Sequence, residues 1–418
     1  MSSMKTSEPA NELIDGYGNV FKIPDYTMHD IHKAIPKHCY ERSTIKGISY
    51  VLRDVASTYF VFRLFYTFVT PDNIPSTPVR TLLWGLYTFI QGLFGLGLWV
   101  LGHECSHQTL TASKALNDTI GFLLHSALFS PYFSWTITHR RHHRFHNNMV
   151  EDVVWNPPTR EEYASLLGKL SHEISEIGEE TPIVSLLWLI AQQTVGWPNY
   201  LITNVTGHKF LGKQNGLFTG ANHFSPASPF FKPKDAKLIL LSDLGLAATV
   251  LCLVYLSRAC GWVNLLVWYF LPYLWVNNWI AAITFLHHTD PSVPRYTPAL
   301  WTYTLGAAAT IDRDFGFIGK HIFHGIIETH VLHHSVTTIP FYHAFEATEA
   351  IKLVMGRHYR SDTERGPMGF IRAVWRNLRW CQWVEPAEGA RRDVLFFRNR
   401  NGLGTQPMKL QRQVARGN

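Results

Sequence analysis

The chain has 418 residues, of which 46% are apolar and 17% are charged, and its formal net charge at pH 7 is +7. The basic residues are spread over segments that flank apolar stretches, so a basic face against anionic lipid headgroups explains the charge more simply than nucleic-acid binding does. The five cysteines form no CxxC pair and no paired framework, which argues against a disulfide scaffold and indicates a reducing, cytosolic environment.

Four apolar stretches are predicted to be transmembrane helices, because each approaches the roughly 20 helical residues that cross a bilayer. They are residues 51–69, 82–101, 238–256 and 265–286. The first contains Arg53, Asp54 and Arg63, and the third contains Asp243. A buried helix of a large soluble protein is the alternative for any one stretch, but four of them in one chain favour a membrane protein.

Two further apolar segments, residues 120–135 and 183–202, are shorter or are interrupted by Pro131 and Pro198. Proline inside a helix removes a hydrogen bond and kinks or breaks the helix. We expect these two segments to lie at the membrane interface or to re-enter the membrane, and a full span is the alternative.

Three histidine clusters are the most informative feature of the chain. The first, His103-Glu-Cys-Ser-His107, begins two residues after the second apolar stretch, and the other two repeat the pattern HxxHH. Residues four apart share one face of a helix, so two such imidazoles can reach one ion. The histidines are His103, His107, His139, His142, His143, His330, His333 and His334. Eight exceed the four ligands of a structural zinc site and predict a two-metal centre, although nitrogen ligands alone do not identify the metal.

All three clusters must lie on one side of the membrane to form one site. If the first and second spans form one hairpin and the third and fourth form another, the segments that carry the clusters share one face. The lysines and arginines lie mainly on that same side, so the positive-inside rule makes it cytosolic. We therefore predict an all-α integral membrane protein with about four transmembrane helices in two hairpins, and a cytosolic helical cap that holds a histidine-ligated dimetal site. The predicted segments are 1–50 (cytosolic), 51–101 (first hairpin), 102–236 (cytosolic, clusters one and two), 237–287 (second hairpin) and 288–418 (cytosolic, cluster three).

A polynuclear site at the mouth of an apolar bundle suggests redox chemistry on a lipid. Unactivated C–H bonds require a metal activated by dioxygen, because side chains alone do not break them. Acidic residues near the clusters are candidates for orienting the imidazoles, with solvated loop charges as the alternative. These candidates are Glu104, Asp152, Asp312 and Asp314.

With these clusters beside these apolar stretches, the chain resembles the membrane fatty acyl desaturases. More narrowly, it is similar to the fungal and plant Δ12 (omega-6) oleate desaturases and their omega-3 relatives. The resemblance extends from about residue 21 to near the end of the chain. It includes Tyr132-Phe-Ser-Trp135, Gly196-Trp-Pro198, Thr284-Phe-Leu-His-His-Thr-Asp-Pro291, Thr310-Ile-Asp-Arg-Asp-Phe-Gly316, Ile339-Pro-Phe-Tyr342 and residues 396–404.

The resemblance implies a diiron centre that uses dioxygen to introduce a cis double bond at Δ12 of an oleoyl chain, giving a linoleoyl lipid and water. It implies that the eight cluster histidines are catalytic metal ligands and that His288 is a ninth metal ligand. Electrons would come from NADH through cytochrome b5 reductase and cytochrome b5. The chain contains no His-Pro-Gly-Gly haem motif, so cytochrome b5 should be a separate protein. The implied location is the endoplasmic reticulum membrane, multi-pass, with the histidines on the cytosolic face.

The chain also departs from the pattern of that subgroup. Ser106 replaces the usual glycine in the first cluster, and Ser335 follows the third cluster where a bulkier residue is familiar. Residues 144–148 and 153–155 also differ. A diverged relative is therefore the alternative: an omega-3 desaturase, hydroxylase, epoxygenase or acetylenase in specialised metabolism. A metal transporter is disfavoured because the clusters lie outside the spans, and a scaffolding protein needs no paired HxxHH clusters.

Overall fold

The fold is described from a computed structural model, which covers residues 13–168, 181–207, 220–387 and 392–400. The described residues are mostly helical, in agreement with the helical part of the prediction. The helices are α1 (Met28–Ala34), α2 (Thr44–Phe68), α3 (Thr77–Ser106), α4 (Lys114–Ser126), α5 (Tyr132–Phe145), α6 (Arg160–Leu166), α7 (Pro182–Thr203), α8 (Ala236–Cys260), α9 (Trp262–Leu265), α10 (Leu271–His288), α11 (Tyr303–Ala308), α12 (His330–Ser335), α13 (Phe341–Met355) and α14 (Gly366–Trp380). A π-helical turn, Leu266–Phe270, joins α9 to α10.

Each of the four predicted spans is helical. The first and second lie in α2 and α3, the third lies in α8, and the fourth begins at the end of α9 and continues through the π-helical turn into α10. Among the described residues, two helices are long and apolar enough to cross a membrane, Thr77–Ser106 and Pro233–Cys260. The four-span topology therefore stays a prediction. The charged residues of α2 and the two histidines that end α10 reduce the apolar character of those helices.

The centre of the fold is α3, which packs against α2, α4 and α10. A Cβ atom at Gly92 would lie 2.2 Å from the Cβ of Trp275, so glycine is what permits α3 and α10 to approach this closely. α10 packs mainly against α3 and α7, whereas α8 packs against α4 and α5. The second predicted hairpin thus diverges after its turn, which Gly261 forms with a φ of +85°.

The two interrupted segments behave differently from each other. Residues 120–135 do not form one helix, because α4 ends at Ser126 and α5 begins after Pro131. Residues 183–202 lie in the single helix α7, which contains Pro198 without ending there. Many apolar side chains of α7 are exposed, including Ile183, Leu187 and Trp188, as expected of a helix in contact with lipid. Its placement at the interface, with a full span as the alternative, stays a prediction.

Short strands, which the sequence analysis did not predict, supplement the helices. They are β1 (Leu13–Ile14), β2 (Val20–Phe21), β3 (Arg295–Tyr296), β4 (Asp312–Arg313), β5 (Ser361–Asp362), β6 (Trp383–Pro386) and β7 (Val394–Arg398). β3, β7 and β6 form an antiparallel sheet in which Glu385 pairs with Phe396. The five strands β1 to β5 have two residues each and are too short to give an alternating pattern, and β7 gives none because all five of its residues are buried. Residues 401–404, the end of one matching segment, lie outside the described residues.

A buried ion-pair network joins the end of α10 to the segment before the third cluster. The guanidinium of Arg313 lies 3.3 Å from Asp290 and 2.9 Å from Asp362. Its Nε also donates a hydrogen bond to the carbonyl of Leu286. A buried cation needs such partners, because its desolvation is otherwise costly. This network fixes the position of α10 relative to the third cluster.

Candidate metal centre

Four helix ends bring the histidine clusters together. His103 lies in the last turn of α3 and His107 caps that helix. The second cluster occupies the C-terminal half of α5, the third forms α12, and His288 is the last residue of α10. The i, i+4 spacing places both histidines of α3 on one face, as predicted.

Five histidines from three clusters form what we call the first histidine group: His103, His107, His139, His143 and His333. One ring nitrogen of each lies within 4.8 Å of the corresponding nitrogens of the others. Nε2 of His139 lies 3.0 Å from Nε2 of His107 and 3.1 Å from Nε2 of His143. The arrangement could hold a metal ion.

Three more histidines form the second histidine group: His142, His288 and His334. Their nearest ring nitrogens are also within 4.8 Å of one another. His330 lies beside this group, with its Nε2 atom 3.3 Å from Nε2 of His288. All nine predicted ligand positions are therefore adjacent in space, and their role as ligands stays a prediction.

The ring contacts favour a bound cation over hydrogen bonding alone. A neutral imidazole nitrogen offers either one N–H or one lone pair, so Nε2 of His139 makes only one of its two short contacts as a hydrogen bond. Within the described part of the chain, Nε2 of His333 and Nδ1 of His334 are buried without a hydrogen-bond partner. Nitrogen lone pairs that converge in this way suit a transition-metal ion.

Burial keeps the imidazoles neutral. It lowers their pKa well below the usual value for histidine, and neighbouring side chains, mostly other histidines, lower it further. This holds for His107, His139, His143, His330, His333 and His334. A neutral ring retains the lone pair that binds a metal, so the electrostatics of the site prepare it for ligation.

Asp152 is the clearest orienting residue. Its two carboxylate oxygens lie 2.9 and 3.0 Å from Nδ1 of His142, which leaves Nε2 of that ring for a metal. Burial alone would raise the pKa of this carboxyl group. The contact with His142 and the hydrogen bond from the Val154 N–H instead hold the pKa below its usual value.

The other three acidic candidates differ in what they contact. Glu104 lies 3.4 Å from Nδ1 of His103 and accepts a hydrogen bond from the Thr109 hydroxyl. Asp312 accepts a hydrogen bond from the Val331 N–H. It therefore fixes the start of α12 and does not orient an imidazole. Asp314 accepts a hydrogen bond from the Gly316 N–H in a local turn. Glu104 and Asp152 are thus the two that contact an imidazole.

Three further residues with aromatic rings, one tryptophan and two histidines, pack against the imidazoles of candidate ligands. The sequence analysis gave none of the three a ligand role. Trp135 stacks on His139 at a centroid distance of 4.2 Å, and His287 stacks on His330 at 4.2 Å. Nδ1 of His287 hydrogen-bonds to the Ile311 carbonyl. His146 packs 4.7 Å from the His334 ring. Two of them could have been found from the sequence by their helical spacing. Trp135 lies four residues before His139, and His146 lies three residues after His143.

The two unusual serines are buried beside the clusters. Ser106 donates a hydrogen bond to the carbonyl of His103, and Ser335 donates one to the carbonyl of Val331. Both hydroxyls are therefore satisfied within their own helices. The Tyr303 hydroxyl additionally donates to the carbonyl of His334. These contacts place both departures next to candidate ligands.

Comparison with known proteins agrees with this site. A sequence model of the fatty acid desaturase family matches residues 80–366, and a model of a domain of unknown function matches residues 18–64. An oleate hydroxylase of Claviceps purpurea is 53% identical over 99% of this chain and 90% of its own length. A Δ12 fatty acid desaturase of Mortierella alpina is 39% identical, over 94% of this chain and 96% of its own. An oleoyl-12-hydroxylase of Ricinus communis is 38% identical, over 90% and 92%.

Proposed function

Because the chain belongs to the fatty acid desaturase family, we propose that it uses dioxygen and a diiron centre to introduce a cis double bond at Δ12 of an oleoyl lipid. The observation that carries this proposal is the convergence of eight buried or partly buried imidazoles in the two histidine groups, with a ninth, His330, beside the second group. The product would be a linoleoyl lipid. Relatives named Δ12 desaturases from fungi and plants support the position of the bond.

The nine imidazoles divide naturally between two iron ions. The first histidine group would hold one ion, and the second histidine group together with His330 would hold the other. When bound, such a centre supplies the activation of dioxygen that removes two hydrogen atoms from adjacent methylenes. Two electrons from the substrate and two from the donor reduce one dioxygen to two waters.

The side chains contribute position and electrostatics. Asp152 holds the His142 ring in one orientation, and Glu104 lies beside His103. Trp135 covers one face of His139 and restricts the ring to one plane. Groups held in this way need little reorganisation when the reaction occurs, which is the main electrostatic advantage of a rigid site.

The proposed setting is the endoplasmic reticulum membrane, with four spans in two hairpins and the histidine groups on the cytosolic face. Exposed apolar side chains along α8, among them Leu244, Leu251 and Tyr255, support burial of that helix in lipid. Cytochrome b5, reduced by NADH through its reductase, would supply the electrons as a separate protein. The net charge of +7 suits an acidic electron carrier on that face.

Hydroxylation at carbon 12 of the same oleoyl chain is the second candidate. One specific observation favours it, the 53% identity to an oleate hydroxylase over nearly the whole chain. Hydroxylation places one oxygen atom in the chain and releases one water, so it requires the same centre and the same electrons. The buried serines beside the clusters, Ser106 and Ser335, are positions where such a change of outcome could arise.

Expression in yeast tests both candidates, since yeast supplies oleate, cytochrome b5 and its reductase. Total lipid is analysed by mass spectrometry that locates double bonds and oxygen atoms, with growth under ¹⁸O₂ to mark oxygen from the gas. Linoleate, absent with His107→Ala, supports Δ12 desaturation. An ¹⁸O-labelled 12-hydroxy acid supports hydroxylation and overturns desaturation. No new lipid from inserted, iron-loaded protein contradicts both.

A further inference from the structure

A second set of metal-binding side chains lies outside the two histidine groups. His38 and Cys39 belong to a 3₁₀ turn, Lys37–Tyr40, in the segment that precedes α2. His343 and Glu346 lie three residues apart on α13, so they share one face of that helix. One donor atom from each of the four lies within 4.8 Å of the others.

Three of the four residues, His38, Cys39 and Glu346, have donor atoms at distances close to those of a tetrahedral site. Zinc bonds of about 2.0 Å to nitrogen and about 2.3 Å to sulfur separate neighbouring ligand atoms by roughly 3.3 to 3.6 Å. Sγ of Cys39 lies 3.7 Å from Nε2 of His38. The two carboxylate oxygens of Glu346 lie 2.9 and 3.0 Å from that nitrogen. These three ligand-to-ligand distances lie within about half an ångström of the tetrahedral values.

A simpler interpretation is a surface ion pair between His38 and Glu346, next to a cysteine of the apolar core. That pair is about half exposed, with 52% and 53% of the two side chains accessible, and exposed pairs contribute little to stability. The interpretation explains neither the thiol directed at the same nitrogen nor the ring of His343, 5.8 Å from that of His38. A thiol, two imidazoles and a carboxylate together form a donor set that suits zinc.

We infer that His38, Cys39, His343 and Glu346 bind a zinc-class divalent cation, distinct from the proposed diiron centre. Binding would convert the Cys39 thiol to a thiolate and release its proton to solvent through the exposed side of the site. The ion would connect the N-terminal segment, where the domain of unknown function matches, to α13.

The position of this site gives it a structural consequence. Cys39 packs in one buried apolar cluster with Val331 and Leu332, the residues of α12 that lie between His330 and His333. α12 also packs directly against α13. An ion that fixes the 3₁₀ turn on α13 would therefore hold the core against which the third histidine cluster rests. The inference does not depend on which reaction the diiron centre performs.

Cobalt(II) is the probe, because a thiolate bound to cobalt gives a near-ultraviolet charge-transfer band that imidazole ligands do not give. The full-length chain, purified in detergent and loaded with iron, is titrated with Co²⁺. The variants are Cys39→Ser and His343→Asn. Cys260→Ser, a cysteine at the end of α8, is the matched control.

We expect the wild type and Cys260→Ser to bind one equivalent of Co²⁺ with the thiolate band. Cys39→Ser should lose the band, and His343→Asn should bind Co²⁺ at least tenfold more weakly. The partly exposed His343 provides a test that does not require a change in the core. Absence of the band from the wild type would overturn the inference. Persistence of the band in Cys39→Ser would also overturn it, because the thiolate would then belong to another cysteine.

Discussion

Replacing Asp152 with asparagine removes the negative charge beside His142 and leaves the side-chain volume almost unchanged. The carboxylate lies 2.9 and 3.0 Å from Nδ1 of His142 and is fully buried. It also accepts hydrogen bonds from the backbone N–H groups of Asn147 and Val154. The substitution therefore removes the charge and replaces one acceptor oxygen with an amide NH₂ group. The backbone N–H groups of Asn147 and Val154 hold the side chain in place.

We expect Asp152→Asn to weaken iron binding at the second histidine group. Loss of a carboxylate that orients a ligating histidine typically lowers metal affinity by about 10- to 100-fold. That range corresponds to about 1.4–2.7 kcal/mol. The first histidine group, which lacks a contact with Asp152 among the described residues, should keep its ion.

The measurement is iron per chain in purified protein during titration with a chelator. Glu151→Gln is the matched control, because Glu151 pairs with Arg141 on the surface and is 45% exposed. The control should release iron as the wild type does. If Asp152→Asn retained iron with wild-type affinity while remaining folded, the assignment of Asp152 as the residue that orients His142 would be wrong.

Three further predictions follow from specific contacts. His107→Ala and His333→Ala should each abolish product formation in yeast while leaving the protein in the membrane fraction; near-full activity in either would contradict a shared metal site. A Cβ at Gly102 would lie 2.3 Å from a buried histidine ring, whereas one at Gly85 meets no atom within 4 Å. Gly102→Ala should therefore destabilise the protein by about 1–3 kcal/mol in thermal unfolding, and Gly85→Ala should not. Arg313→Met removes the 2.9 and 3.3 Å partner of Asp362 and Asp290, which both keep Arg376 within 3.6 Å. The free energy of unfolding in denaturant should therefore fall by about 1.5–3 kcal/mol, and an unchanged value would refute this role.

Helical spacing made much of the site predictable. The i, i+4 relation places His103 and His107 on one face whatever the tertiary fold, and the repeated HxxHH pattern does the same for the other clusters. The family resemblance implied His288, which indeed lies beside His330. Which histidine belongs to which group was not predictable, because tertiary packing decides how neighbours such as His142 and His143 are assigned to different groups.

Long-range partners account for most of what the sequence did not reveal. Asp54 weakens the apolar character of α2, yet it is buried and lies 2.8 Å from Nε2 of His324, a residue 270 positions away. Likewise, Asp312 contacts the backbone of α12 and not an imidazole. The sequence analysis noted Asp54 only as a charge within the first apolar stretch, and it named Asp312 as a candidate for orienting an imidazole. It had no means to identify their partners, because no local pattern encodes a contact between distant segments.

Counting the metal ions in the purified chain is the sharpest test of the proposal that these histidines hold two iron ions. Elemental analysis is performed on the wild type and on the double variant His139→Ala, His334→Ala, which removes one ligand from each histidine group. We expect two iron ions per chain in the active wild type and a loss of iron from the double variant, with dioxygen-dependent turnover lost in parallel. Active protein with one iron ion or none, or a double variant that keeps both ions, would contradict it.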